Sequence, residues 1–233
     1  MLERLQKYLA NAGVASRRKC EEFIQQGLVS VNKVIIRKPG FKINSEKDIV
    51  CINNRQLKPR DKKYFIVNKP GGYVCSCSKN DDAPIVTELI PEKKLFPVGR
   101  LDKDTEGLII LTNDGDFGQS VIHPSSNLWK EYRVVLDGEI TGAELERFRN
   151  GIEIDGRLTA PARVSLTGKN GKELAVSIME GRNRQIRKMF SALGYKIIYL
   201  KRTKIGRLNI GNLKPGYYKP VSRDFLWKKI FSE

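Results

Sequence analysis

Five short segments rich in β-branched and aromatic residues recur in the last three quarters of the chain, and they constrain its fold more than any other feature. They read KKYFIVNKP, GLIILTND, KEYRVVLDG, ARVSLTG and KELAVSIMEG. Such a length and composition are typical of β-strands. Asn170 and Gly171 stand between the last two segments and predict a hairpin turn. The segments therefore predict a mixed, largely antiparallel sheet.

Three helical segments accompany the predicted strands. Thr141 and Glu144 match a capping box at the start of TGAELERFRN. In RNRQIRKMFSALG, apolar residues recur with helical spacing before Gly194. Ser222 is placed to cap SRDFLWKKIF. Together with the strands, these helices predict an α+β fold for residues 61–233.

The beginning of the chain has a different pattern. Apolar residues recur at helical spacing from Leu2 to Ala12, and Gly13 follows as a stop. Ser16 is placed to cap a second helix. The next segment, LVSVNKVI, is typical of a short hairpin. The pattern predicts two small helices followed by strands.

The polar run NNRQLKPRDKK, residues 53–63, is typical of a linker. We therefore expect a small α/β module at residues 1–60 and a larger domain at residues 61–233. The module carries 13 Lys and Arg against 5 Asp and Glu, and the whole chain carries 43 against 26, a net charge of +17. Such an excess favours a polyanionic partner, most often nucleic acid, with an anionic membrane surface as the second candidate.

The sequence argues against several other classes of protein. It contains no apolar run of membrane-spanning length, and MLERLQKYLANAG lacks the apolar segment of a signal peptide, so we expect a cytoplasmic protein. We also expect a monomer. Cys20, Cys51, Cys75 and Cys77 lack zinc-knuckle spacing and are expected to be reduced thiols. His123 is the single histidine, and we expect a turn or packing residue there rather than a metal ligand or a triad member.

A basic cluster lies at the start of the second predicted helix. Arg17, Arg18 and Lys19 follow the capping serine. A helix N-terminus attracts phosphate, and three cations strengthen that attraction. These residues are therefore RNA-binding candidates, although a solvated helix end explains the cluster equally well.

A second basic stretch, residues 181–223, is termed the acid-free segment below. It holds twelve Lys or Arg, four tyrosines and no Asp or Glu. Cations interleaved with aromatic rings suit a nucleic-acid surface, because the cations meet phosphates and the rings stack on bases. We expect Lys201 and Arg202 to lie on that surface and to contact RNA.

The stretch GRLDKDTEGLIILTNDG places Asp102, Asp104 and Glu106 at alternate positions before an apolar run. A calcium loop would need a glutamate at its twelfth position, where Asn113 stands. For Asp104 and Glu106 the sequence favours a solvent-facing turn whose carboxylates offset nearby cations. Asp102 has a basic neighbour in Arg100, and guanidinium groups keep a carboxylate ionised, as a nucleophile or base requires.

This stretch resembles the catalytic motif of bacterial ribosomal-RNA pseudouridine synthases. Three further stretches are similar to motifs of that family in the expected order, namely NKPGG at residues 68–72, KEYRV at residues 130–134 and EGRNRQIRKMF at residues 180–190. SRRKCEEFIQQGLVSVNKVI is similar to the small RNA-binding module named after small-subunit ribosomal protein four. The resemblance covers almost the whole chain and implies isomerisation of uridine to pseudouridine in folded RNA, without metal, cofactor or ATP.

The resemblance also implies roles for individual residues. Asp102 matches the essential nucleophile or base. Tyr132 matches a ring that stacks on the target base, and Arg187 matches the cation that pairs with the catalytic carboxylate. Arg100 matches the residue that helps to flip the uridine out of its helix, an extrusion that costs a few kcal/mol. The motif that contains Arg187 adds two RNA-binding candidates, Arg182 and Arg184.

Periodicity alone would make Tyr132 an ordinary strand aromatic and Arg187 a surface cation. The ordered set of motifs instead favours catalytic roles for both residues. The GRNRQIR form looks more like large-subunit enzymes of the family. We therefore expect 23S ribosomal RNA as the substrate, with small-subunit ribosomal RNA or transfer RNA as alternatives. The alternative from another class is a non-catalytic RNA-binding ribosome-assembly factor, and a membrane-surface binder is more distant.

The front module departs from the family pattern at one position. The family often has glycine after VN, where this chain has Lys33. A two-residue hairpin turn needs a positive φ that lysine adopts poorly. We therefore expect a different turn at this position.

Overall fold

The computed structural model describes residues 2–77, 83–168 and 170–232, and the chain divides into two compact units, Met1–Lys62 and Lys63–Glu233. The linker predicted at residues 53–63 is wrong in its first part. Arg55–Gln56 is a strand that pairs with Val50–Ile52, so this part of the polar run belongs to the first unit.

The first unit packs two short helices against small antiparallel sheets. Ser16 caps the second helix by accepting a hydrogen bond from the Lys19 backbone N–H, as predicted. Its core includes Cys20 and Ile24, both without exposed surface. The elements are β1 (Leu2–Arg4), α1 (Leu5–Asn11), α2 (Arg17–Gln25), β2 (Val29–Val31), β3 (Val34–Ile35), β4 (Lys42–Asn44), β5 (Val50–Ile52) and β6 (Arg55–Gln56).

Two local predictions for this unit are wrong. Leu2 is not in the first helix, because its strand β1 pairs with β4 and Leu2 itself is 72% exposed. The β2–β3 hairpin keeps a two-residue turn although lysine occupies it, with φ of 51° at Asn32 and 70° at Lys33. The Asn32 side chain donates to Asp48 and accepts from the Ile49 N–H, and these bonds hold the turn in a conformation that lysine disfavours.

The strands of the second unit are β7 (Tyr64–Lys69), β8 (Phe96–Pro97), β9 (Glu106–Thr112), β10 (Lys130–Leu136), β11 (Glu153–Ile154), β12 (Arg157–Leu158), β13 (Arg163–Leu166), β14 (Glu173–Ile178), β15 (Ile197–Ile205), β16 (Leu208–Asn209) and β17 (Tyr218–Val221). β11 and β12 pair with each other, and the other strands form one nine-stranded sheet. The order in this sheet is β13, β14, β10, β15, β9, β7 and β17, to which β16 and β8 add at β15 and β9. All pairs are antiparallel except β15 with β9, so the predicted mixed, largely antiparallel sheet is confirmed.

Helices cover both faces of this sheet because alternate strand residues are apolar on each face. Thr141 and Glu144 form the predicted capping box, and Ser222 caps the last helix. On one face Phe148 and Phe190 stack in the larger core, and on the other Phe117 and Leu226 are buried in a smaller one. The helices are α3 (Gly115–Ile122), α4 (Gly142–Asn150), α5 (Gln185–Ala192) and α6 (Arg223–Phe231), with 3-10 turns at Val86–Leu89 and Pro124–Ser126.

Candidate active site

Four strands present one residue each in a continuous row at one end of the sheet. Tyr132 of β10 pairs with Arg202 of β15, which pairs with Gly107 of β9, which pairs with Lys69 of β7. The loop that contains Asp102 leads directly into β9 beside this row. The sheet register therefore brings residues from three distant sequence motifs to the same end of the sheet.

The loop that carries Asp102 is fixed by its backbone. The Leu101 N–H donates to the Cys75 sulfur at 3.3 Å, and the Thr105 N–H donates to the Asp102 carbonyl at 3.0 Å. Leu101 and Thr105 are buried, whereas the Asp102 side chain keeps 29% of its surface exposed. The carboxylate therefore sits on a rigid turn with a path to solvent.

The end of this turn depends on Gly107. Its φ is +108°, and a Cβ built there would lie 2.2 Å from the Arg202 carbonyl oxygen. Only glycine allows the two backbones to approach so closely. Gly107 thus sets the distance between β9 and β15, and with it the position of the turn.

Two arginines face the Asp102 carboxylate. Asp102 Oδ2 lies 4.0 Å from Arg184 Nη1 and 4.0 Å from Arg187 Nε. The Arg187 side chain is only 18% exposed, and burial lowers its pKa, with the charge of Arg184 acting in the same direction and those of Asp102 and Asp104 opposing it. The guanidinium still stays charged at neutral pH, because arginine is not deprotonated in proteins. The predicted pairing of Asp102 with Arg187 agrees with this geometry.

Arg187 keeps an unused hydrogen-bond donor. Its Nη2 makes only long contacts to the Asp104 carbonyl and to the Thr105 hydroxyl, at 3.4 and 3.5 Å. Its Nε is buried without a hydrogen-bond partner among the residues that the structure describes. Since a buried N–H without a partner is costly, this donor is a candidate contact for a ligand oxygen.

Asp102, Tyr132 and Arg187 line the same cavity, of about 100 Å³. Tyr132 is 8% exposed and forms part of its wall. The predicted RNA-binding residues Arg100, Arg182 and Arg184 also line it. The remaining lining residues are uncharged: Leu101, Thr105, Ile178, Gly181, Gln185, Ile186 and Leu200.

Arg182 and Arg202 were expected to contact RNA, but neither side chain projects freely into solvent. Arg182 is half-buried, and its guanidinium donates to Glu180 and to the carbonyls of Arg157 and Leu158. Arg202 is 3% exposed, and its Nε donates to the Leu108 carbonyl at 2.8 Å. The prediction that Arg202 lies on the RNA-binding surface is therefore wrong, since the side chain joins β15 to β9 inside the protein.

The other predicted RNA contacts differ in exposure. Arg17, Arg18 and Lys19 are exposed at the start of α2, where Lys19 pairs with Glu22 at 2.6 Å. Lys201 is half-buried on its strand. Contact of these four residues with RNA stays a prediction.

The acids that follow Asp102 have separate environments. Asp104 is exposed, as predicted. Glu106 is half-buried and accepts a hydrogen bond from the Tyr199 hydroxyl at 2.9 Å, so the expectation that it faces solvent is wrong. Burial and this bond to Glu106 raise the pKa of Tyr199 to about 12. His123 is a turn residue, as expected, and bonds to Ser125.

Lys69 is a site residue whose role the sequence did not indicate. It is fully buried, and its ammonium donates to the carbonyls of Pro70 and Lys103 at 2.9 and 3.1 Å. The Gly72 N–H donates to the same Lys103 carbonyl at 2.9 Å. Burial lowers the pKa of Lys69. The NKPGG motif was the available signal, and its contribution here is to anchor the turn that presents Asp102.

Within the described part of the chain, no group of three or more His, Cys, Asp or Glu side chains is arranged to hold a metal ion. Every helix in the described ranges is too short or too polar to cross a membrane. The four cysteines are free.

Comparisons with known proteins agree with the motifs and the geometry. Residues 63–192 match the family model described as RNA pseudouridylate synthase, and residues 3–50 match the S4 domain. A solved structure described as a pseudouridylate synthase aligns with a TM-score of 0.71 and 31% identity, over 97% of this chain and 99% of that one.

Curated relatives match over similar lengths. An uncharacterized RNA pseudouridine synthase of Aquifex aeolicus is 38% identical over 94% of this chain and 90% of its own. The ribosomal large subunit pseudouridine synthase B of Bacillus subtilis is 37% identical over 92% of this chain and 90% of its own. The chain belongs to the RNA pseudouridylate synthase family and carries an N-terminal S4 domain. It is therefore an isomerase that acts on RNA, and the resemblance read from the motifs is confirmed.

Proposed function

We propose that the chain isomerises a specific uridine of large-subunit ribosomal RNA to pseudouridine, with Asp102 as the catalytic group. One observation carries the assignment of Asp102. Its Oδ2 lies 4.0 Å from both Arg184 and Arg187, in a cavity that Tyr132 also lines. A charged carboxylate, a partly buried cation and an aromatic ring thus meet at one point that solvent reaches.

The reaction needs only rearrangement within the nucleotide. The bond between ribose C1′ and uracil N1 breaks, and a bond between C1′ and uracil C5 forms. The proton on C5 leaves to a base and eventually to water, and N1 takes up a proton. Atoms and electrons balance without an oxidant, a reductant or an energy source, which agrees with the proposal that no cofactor takes part.

Each proposed residue has a distinct task. Asp102 acts as nucleophile or base, and Arg187 keeps it charged where an unpaired ion would be costly. Tyr132 stacks on the extruded uracil and returns part of the energy of unstacking. Arg100 is exposed at the mouth of the cavity and occupies the gap left in the RNA helix. Arg184 contacts RNA beside the cleft.

Arg182 braces the loop after β14 and shapes the cavity wall. We propose that the S4 domain supplies general affinity through Arg17, Arg18 and Lys19, whose exposed charges suit a phosphate backbone. Lys201 adds to that affinity in the second unit. The enzyme acts as a cytoplasmic monomer in this proposal.

The preference for large-subunit RNA rests on two observations. The last motif has the GRNRQIR form, and the Bacillus subtilis relative is named for the large ribosomal subunit. Small-subunit ribosomal RNA and transfer RNA are the competing substrates. The joint presence of Asp102, Tyr132 and Arg187 in one cavity argues for catalysis.

Mapping of pseudouridines in cells that lack this protein tests the substrate. We expect at least one large-subunit pseudouridine to disappear and to return when the wild-type chain is supplied. A matched strain supplied with Asp102→Asn should not regain it. Loss of a pseudouridine from small-subunit or transfer RNA alone would contradict the proposed substrate.

A further inference from the structure

The structure separates the four tyrosines of the acid-free segment. The hydroxyls of Tyr195 and Tyr199 donate to glutamate side chains, and the ring of Tyr218 packs edge-on against Phe65 at 5.8 Å. Tyr217 is different, because 63% of it is exposed. Of the four rings that the sequence offered for base stacking, Tyr217 is thus the most accessible.

The backbone of Tyr217 is held in place. Asn68 is fully buried, and its N–H donates to the Tyr217 carbonyl at 3.0 Å while its own carbonyl accepts from the Gly216 N–H at 2.8 Å. Its side-chain amide donates to the Leu213 carbonyl at 2.6 Å. An aromatic ring on a fixed backbone loses little conformational entropy when it binds, which favours a binding role for an exposed ring.

The position of Tyr217 connects it to the active site. It precedes β17, and its partner Asn68 is followed directly by Lys69, which anchors the turn of Asp102. Tyr132, the proposed platform for the target uracil, lies on β10, four strand spacings from β17. Strands lie about 4.8 Å apart, so the separation is roughly 19 Å. Because a stacked strand rises about 3.4 Å per nucleotide, this distance corresponds to about six nucleotides.

The charges around this edge suit RNA. Lys214 and Lys219 are exposed on either side of Tyr217, and Lys103 is exposed on the catalytic turn. Single-stranded RNA binds surfaces that combine such cations with a stacking ring. We infer that Tyr217 stacks on an unpaired base of the substrate RNA, about six nucleotides from the target uridine. The inference rests on the proposed function, because it assumes that the target uridine enters the cavity of Asp102.

Binding measurements with three variants of the full chain test the inference. The probe is a fluorescein-labelled single-stranded oligouridine of about twelve nucleotides, a length within the usual range for single-strand sites. We expect Tyr217→Ala to raise Kd about 10-fold, as the loss of one base–aromatic stack does. Tyr217→Phe should stay within about 2-fold of wild type, because the ring remains.

Two controls separate stacking from other causes. The slope of log Kd against log salt should be the same for Tyr217→Ala and wild type, because no charge is removed. Phe225→Ala removes another exposed aromatic, 41% accessible, just after the opposite end of β17, and it should bind as wild type does. A Tyr217→Ala variant with wild-type Kd would overturn the inference, as would an equal loss in Phe225→Ala.

Turnover distinguishes this inference from the proposed function. With large-subunit RNA labelled with tritium at uracil carbon five, Tyr217→Ala should raise KM about 10-fold and leave kcat unchanged. A wild-type enzyme that releases no tritium contradicts the proposed function. An active wild type with the same KM as Tyr217→Ala contradicts only the stacking role.

Discussion

Replacement of Lys69 by methionine should separate catalysis from stability. Lys69 is fully buried and donates two hydrogen bonds, to the carbonyls of Pro70 and Lys103. Hydrogen bonds from a charged group contribute about 1.5–3 kcal/mol each, so their loss costs about 3–6 kcal/mol. Methionine is apolar and of similar length, and it avoids the several kcal/mol that burial of an ammonium ion costs. The two effects nearly offset each other.

We therefore expect the free energy of unfolding of Lys69→Met to lie within about 2 kcal/mol of wild type, measured by urea denaturation. Activity should respond differently, because the turn that presents Asp102 loses one of its anchors. The Lys103 carbonyl keeps the hydrogen bond from Gly72, so the turn shifts rather than unfolds. A displacement of about 1 Å at a reacting group costs about 100-fold in rate, and kcat should fall by that order.

Tritium release measures kcat for this variant. Asp104→Asn is a matched control on the same turn, because Asp104 is exposed and its change leaves the Lys69 anchor in place. Wild-type kcat in Lys69→Met would refute the anchoring role. A loss of stability above about 4 kcal/mol with unchanged kcat would show that the lysine serves the fold alone.

Two further pairs of substitutions test the cation beside Asp102 and the close approach of β9 to β15. Arg187→Lys keeps the charge but loses the planar fork, so kcat should fall about 100-fold by tritium release, whereas the more exposed Arg184→Lys should lose less than about 10-fold. Equal losses in the two would contradict the pairing of Asp102 with Arg187. Gly107→Ala should destabilise the protein by about 3 kcal/mol or more in urea, since its Cβ would meet the Arg202 carbonyl. Gly156→Ala, at φ +71° in open space, should cost about 1 kcal/mol, and a similar small cost for Gly107→Ala would disprove the close approach.

Local features of the fold were predictable from the sequence because they depend on neighbouring residues. The capping box of Thr141 and Glu144 and the cap of Ser222 form as predicted. The strands of the large sheet follow their β-branched segments. The failures arise from long-range pairing. Leu2 continues the helical spacing but joins a strand, since β4 offers it backbone partners.

The active site likewise combines residues that the sequence predicted with residues whose roles depend on long-range pairing. The motifs identified Asp102, Tyr132 and Arg187, and the structure brings all three to one cavity. Composition assigned Arg202 to the surface, yet the strand register places it inside the sheet, where it bonds to β9. Lys69 likewise gains its role from the Lys103 carbonyl, 34 residues away in sequence. A pattern of charges along a chain does not reveal which cations the fold buries.

The most direct test of the catalytic assignment is tritium release from carbon-five-labelled large-subunit RNA by Asp102→Asn. Asparagine is nearly isosteric and removes only the charge, so RNA affinity should remain close to wild type while release falls to background. Turnover at a rate comparable to wild type would contradict the assignment of Asp102 as the catalytic group.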